Sequence, residues 1–147
     1  MSGMDIQMES ILQGGQFKKL LSEQSMELRQ KYDLKKAELE ILYFLSKSGS
    51  HNTSTDIHHQ LLMNRGHISQ VIDSLCRRKF IVAIPDQEDR RYVHYELLDS
   101  AREIADEMAR RREEINRQIF DGISEEERKV FWSVSSRINE NMKKIPF

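Results

Sequence analysis

At 147 residues the chain holds about one domain, long enough to close an apolar core without disulfide or metal staples. Its single cysteine, Cys76, excludes an internal disulfide and a cysteine-built zinc cage, and no apolar run approaches the ~18 residues of a bilayer span. Lys and Arg number 23 against 24 Asp and Glu, a net charge of -1, so a nucleic-acid site must come from a local concentration of charge.

Only two prolines interrupt a chain that is 38% hydrophobic and 32% charged, which predicts a mainly α protein. Met1 to Leu12 lacks the basic-then-apolar grading of a signal peptide, so a cytoplasmic protein with no membrane contact is expected. Helical spacing of Phe17, Leu20, Leu21 and Leu28 predicts a first helix between Ile6 and Tyr32, interrupted or started late at Gly14-Gly15. A second runs from Leu34 to Lys47 and stops at Ser48-Gly49-Ser50. Thr53 with Asp56 forms a capping arrangement for a short third helix reaching about Leu62. Asn64 then caps a fourth, to about Lys79, whose Ile68, Val71, Ile72, Leu75 and Cys76 make the cleanest amphipathic stripe in the chain.

Ile81 to Ile84 and Tyr92 to Tyr95 are β-prone, and the polar loop between them predicts a hairpin. From Asp99 the pattern is helical again, with Ile104, Met108, Ile115 and Ile119 on one face and Gly122 ending it. Ser124 and Glu127 form a capping box for a last helix carrying Val130, Val134, Ile138 and Met142. Two helices joined tightly and followed by a two-stranded hairpin are the layout of a winged helix-turn-helix.

If the fourth helix buries its apolar stripe, 100° per residue turns Gly66, Gln70, Asp73 and Arg77 outward, flanked by His67, Ser69 and Ser74. Such a face, short and rich in hydrogen-bonding groups, can approach base edges in a major groove, with Arg65 at its amino end. Taken alone it is also an ordinary solvated face. The hairpin loop, Asp86-Gln87-Glu88-Asp89-Arg90-Arg91, sets two arginines beside carboxylates that can hold a guanidinium in one orientation, which suits a narrow minor groove. Together the two features read as a two-groove clamp on double-stranded DNA.

The run Asn64 to Leu75, then Ile81-Val82, then Asp86 to Val93 resembles the multiple-antibiotic-resistance regulator (MarR) family of bacterial transcription factors. The resemblance implies one domain over 1–147, with a winged helix DNA-binding lobe at 34–98 and long dimerisation helices at 4–32 and 99–145. It places Arg91 in the minor groove, positioned by Asp89, with Arg90 at a nearby phosphate. Base reading falls to Asn64, Arg65, His67, Ser69 and Gln70, with Ser74 on the same flank. It further implies a homodimeric regulator, a repressor on a pseudo-palindromic operator, modulated by a small-molecule effector for which Phe17, Leu21, Tyr43 and Met63 are lining candidates. The chain departs from the family pattern at His58, where alanine is usual, at Leu62, where glycine is common, and at Leu98 and Ala101.

No catalytic constellation is recognisable, so an enzyme is not expected. Adjacent His58 and His59 point ~100° apart on a helix, and neither a metal nor another cofactor is expected. Cys76, on the buried stripe, reads as a small core residue, and Phe131 and Trp132 as part of a dimer core. The near-neutral net charge leaves one alternative: a winged helix that binds a partner protein without binding DNA.

Overall fold

The computed structural model describes residues 15–146, with side chains from Lys19 onward. The expected first helix before Gly15 and the side chain of Phe17 therefore lie outside the described residues. Eight elements follow in order: α1 (Gly15–Tyr32), α2 (Lys36–Lys47), α3 (Ser54–Leu61), α4 (Arg65–Arg77), β1 (Ile81–Pro85), β2 (Val93–Leu97), α5 (Asp99–Ile119) and α6 (Glu125–Lys143). The mainly helical winged helix architecture is as the sequence predicts.

Local chemistry explains where the helices begin and end. Asp33 turns the chain out of α1 at φ 51°, a conformation that a short polar residue tolerates, and Leu34 N–H donates back to the Arg29 carbonyl at 2.8 Å. Glu38 folds its carboxylate back onto the Lys35 N–H (2.8 Å) at the start of α2. Thr53 and Asp56 cap α3 reciprocally, Asp56 N–H donating to Thr53 Oγ1 at 3.2 Å and Thr53 N–H to Asp56 Oδ2 at 3.0 Å. Ser124 and Glu127 do the same for α6. The expected fourth helix stops earlier, at Arg77, because Lys79 takes φ 61° and Phe80 N–H closes onto the Leu75 carbonyl.

The described residues form two compact units. One spans 25–110 and packs Leu28 of α1, the inner faces of α2, α3 and α4, Ile81 and Leu97 of the hairpin, and Ile104 and Met108 of α5 into one apolar core. The hairpin is antiparallel, Ile81 facing Leu97 and Ile84 facing His94. The second unit joins the front of α1 to the chain from Arg111, where Leu21 and Ile115 are buried with Phe120 and Phe131 against them. The α5 stripe, expected to await a dimer partner, is thus already covered within the chain: Ile104, Met108 and Ile115 are each buried. The row on α6 is not. Val130, Val134, Ile138 and Met142 are all exposed, Val130 by 63%.

Candidate nucleic-acid interface

Helix α4 buries Ile68, Val71, Ile72 and Leu75 and leaves Arg65, Gly66, His67, Ser69, Gln70, Asp73 and Arg77 exposed. Asn64 sets its start: Oδ1 accepts the His67 N–H at 2.7 Å, satisfying one of the amides left unpaired at a helix beginning. Arg65 lies over α3, with Nη1 donating to Thr55 Oγ1 at 3.4 Å. A Cβ at Gly66 would meet only Asn64 Oδ1, at an ordinary 3.6 Å, so no contact within the chain requires a glycine there. What its absent side chain leaves open is the outer approach to the first turn of α4.

Ser74 corrects the helical-wheel expectation. It is half-buried, and its hydroxyl donates to Glu38 Oε2 at 3.1 Å, so it faces α2 and not the exposed side of α4. Glu38 is itself buried and also meets Arg78 Nη1 at 3.5 Å. Arg78 donates to the carbonyls of Tyr32 and Asp33 at 2.8 and 2.7 Å and lies over the Phe80 ring. This cluster ties the end of α4 to the end of α1 and the start of α2. Burial raises the pKa of the nearby Cys76 thiol, with the Asp73 charge adding to it, which suits a packing residue better than a reactive one.

The loop of the hairpin is built around two carboxylates. Asp86 Oδ1 accepts the N–H groups of Glu88 (2.8 Å) and Asp89 (3.0 Å), and Asp86 N–H donates to the Tyr92 carbonyl. Asp89 then takes Arg91 in a fork: Nε at 3.0 Å from Oδ1 and Nη2 at 2.8 Å from Oδ2, with the Arg91 N–H also bound to Oδ1. The pairing lowers the Asp89 pKa and raises that of Arg91, because each holds the other in its charged form. The Arg91 side chain is nonetheless 86% exposed, so its guanidinium is oriented without being withdrawn from solvent. Arg90, beside it, is exposed as well.

Residues 34–101 match the family model of a winged helix DNA-binding domain. No curated protein matches the sequence. Among solved structures the chain is similar to Streptococcus pneumoniae FabT in complex with DNA, with a TM-score of 0.69, 22% identity, and 88% of this chain and 92% of that one covered. It is also similar to the MarR/EmrR family transcriptional regulator from Acinetobacter sp. ADP1 (TM-score 0.69, 19% identity, 87% and 89% covered). The S. aureus MepR–DNA complex aligns at a TM-score of 0.60 and 17% identity over 86% of this chain and 94% of that one. The fold is a winged helix like that of these MarR-type structures.

Within that MarR fold, two departures from the family pattern have physical accounts. His58 Nδ1 donates to the Met63 carbonyl at 2.7 Å, so the imidazole that replaces a small residue braces the turn between α3 and α4. Leu62, where glycine is common, takes φ 55° and is 87% exposed. Of the effector-lining candidates, Tyr43 is buried in the core of the winged helix unit with Met63 packed against it, while Leu21 belongs to the smaller cluster of the other unit. Sequence reasoning missed Glu38, Arg78, Asn52 and His94. The links from Glu38 to Ser74 and Arg78 and from Asn52 to His94 span 36, 40 and 42 residues, so only the out-of-place polarity of Glu38 and Arg78 beside apolar neighbours offered a signal.

Proposed function

We propose that this MarR-type protein is a cytoplasmic bacterial transcription regulator that acts as a homodimer, repressing a gene by occupying a pseudo-palindromic operator. The exposed polar side of α4, from Asn64 to Gln70, enters the major groove, and Arg91 on the loop between β1 and β2 enters the adjacent minor groove. The observation that carries this reading is the Asp89–Arg91 fork, which holds an 86% exposed guanidinium in one orientation. A pre-set arginine loses less conformational freedom when it docks. Arg90 contacts a phosphate beside it.

The uncovered row of Val130, Val134, Ile138 and Met142 on α6 supports the homodimer: apolar residues at four-residue spacing along a helix call for a partner surface. The 99–145 and 4–32 segments serve as the dimerisation lobe in this proposal. A small-molecule effector, contacting apolar residues such as Tyr43 and Met63, changes the spacing of the two recognition helices and so the fit to the operator. FabT and MepR, solved with DNA, support the choice of duplex DNA as partner.

The test is a salt series of fluorescence anisotropy on a random-sequence duplex. Affinity that falls steeply with salt, with a slope reduced by roughly one unit in Arg91→Ala, is expected. Gln70→Ala should leave that slope unchanged while costing on the order of 1–3 kcal/mol at one base position of a selected operator. No duplex binding at low salt would favour a winged helix that docks a partner protein.

A further inference from the structure

The ring of His94 sits between two oxygen atoms. On one side Nε2 lies 2.8 Å from Asp86 Oδ2, and on the other Nδ1 lies 2.5 Å from Asn52 Oδ1. A carboxylate and an amide carbonyl oxygen can only accept, so both ring nitrogens must carry protons for both bonds to form. With the Asn52 amide in this orientation the imidazolium does so, whereas a neutral ring keeps both bonds only if the amide turns to present its N–H. Asn52 is buried and in the connection between α2 and α3, where its own carbonyl accepts the Tyr95 N–H at 3.0 Å. The histidine therefore joins the loop of the hairpin to the fixed helical frame.

We propose that His94 is a positioning residue for the hairpin loop, and that taking up its second proton orders the loop carrying Arg91 and raises affinity for duplex DNA. The route is continuous: Asn52 fixes the ring, the ring fixes the Asp86 carboxylate, Asp86 holds the Glu88 and Asp89 amides, and Asp89 holds Arg91. The charged groups facing the ring are carboxylates. Asp86 and Glu88 of the loop and Glu96 of β2 line the same cleft, about 610 Å³ in volume, while the facing β1 residues, Ile84 and Pro85, carry no charge. From the α2–α3 connection Gly49, Ser50 and Asn52 face it; His51 beside them is exposed, and Asp56 of α3 is turned to Thr53. The hydrogen bond to His94, followed by those from the Asp89 and Glu88 amides, holds the Asp86 pKa down to about 2, so Asp86 remains an acceptor wherever histidine titrates. The sign follows from the geometry: both bonds need a proton on each ring nitrogen, and one is lost when the ring gives a proton up.

This proposal rests on the DNA-binding reading, and the experiment separates the two. Anisotropy on a random-sequence duplex at constant ionic strength is measured at pH 6 and pH 8 for the wild type, His94→Gln and Asp86→Asn, with amide exchange of residues 86–91 followed by NMR without DNA. The wild type should lose on the order of fivefold more affinity between the two pH values than His94→Gln, which still carries the other histidines. Asp86→Asn keeps an oxygen for the two loop amides and gains an N–H for a neutral ring, so it should bind with little pH dependence and stay ordered at pH 8. A merely structural histidine would not produce that rescue. If His94→Gln unfolds, Asp86→Asn carries the test. Equal pH dependence in the wild type and both variants, or loop exchange that ignores pH because the Asn52 amide N–H serves a neutral ring, would overturn the proposal. Absence of duplex binding at both pH values overturns the DNA reading, while loop exchange that still tracks pH supports the positioning role of His94.

Discussion

Leu62 joins α3 to α4 with a left-handed backbone and a side chain almost wholly in water. A β-carbon in that conformation costs roughly 1–2 kcal/mol, and an exposed leucine recovers none of it through burial. Leu62→Gly should therefore raise stability by about 1 kcal/mol, read as a higher urea midpoint at unchanged slope. Asp86 offers an acid test at the same scale. Its folded pKa is depressed from 3.8 to about 2, so its contribution to loop order is present above about pH 4 and lost as pH falls towards 2. Exchange of the Glu88 and Asp89 amides should quicken over that window while the amides of α2 remain protected.

Helix α4 shows how far local signals reach. Asn64, Ile68, Val71, Ile72 and Leu75 were legible because a cap and a 3.6-residue stripe are written within one short segment. Ser74 was not, since its partner Glu38 lies 36 residues earlier and helical-wheel geometry cannot know which flank another helix covers. Arg78 and the Asn52 side of His94 were hidden for the same reason, those partners being 45 and 42 residues away. The second strand starts at Val93 and not at Tyr92 because Tyr92 is used to close the loop, its N–H on the Asp89 carbonyl and its carbonyl on the Asp86 N–H. Two substitutions separate folding from function in α4. Asn64→Ala removes the cap and should cost about 1 kcal/mol. Gly66→Ala should instead stabilise the helix by up to about 1 kcal/mol, because nothing in the chain blocks the new methyl, and at the same time weaken duplex binding by standing between the backbone and the groove. A stabilised Gly66→Ala that binds DNA as the wild type does would show that the first turn of α4 does not approach the groove closely.

For the molecule as a whole, the order of elements was legible, but the allocation of apolar surface was not. Helices α1, α5 and α6 all look available to a partner chain on periodicity alone, yet α1 and α5 spend Leu28, Ile104 and Met108 on the winged helix core. That narrows the exposed apolar row to α6. Among the described residues no helix is long and apolar enough to cross a membrane, so a bilayer-spanning role does not account for that row. Sedimentation should give a dimer at micromolar concentration, and Val134→Glu with Ile138→Glu should yield monomers that keep the wild-type helical content. A wild-type monomer would remove the basis for two-site binding to a palindrome.

In the proposed complex one side of α4 and the Arg91 loop meet the same duplex. Titrating isotopically labelled protein with a short random-sequence duplex and following the backbone amides tests it directly. The shifted amides are expected to concentrate at residues 64–70 and 86–92, and both groups to move with a common dissociation constant. Shifts confined to α6, or two groups responding with unrelated constants, would contradict it.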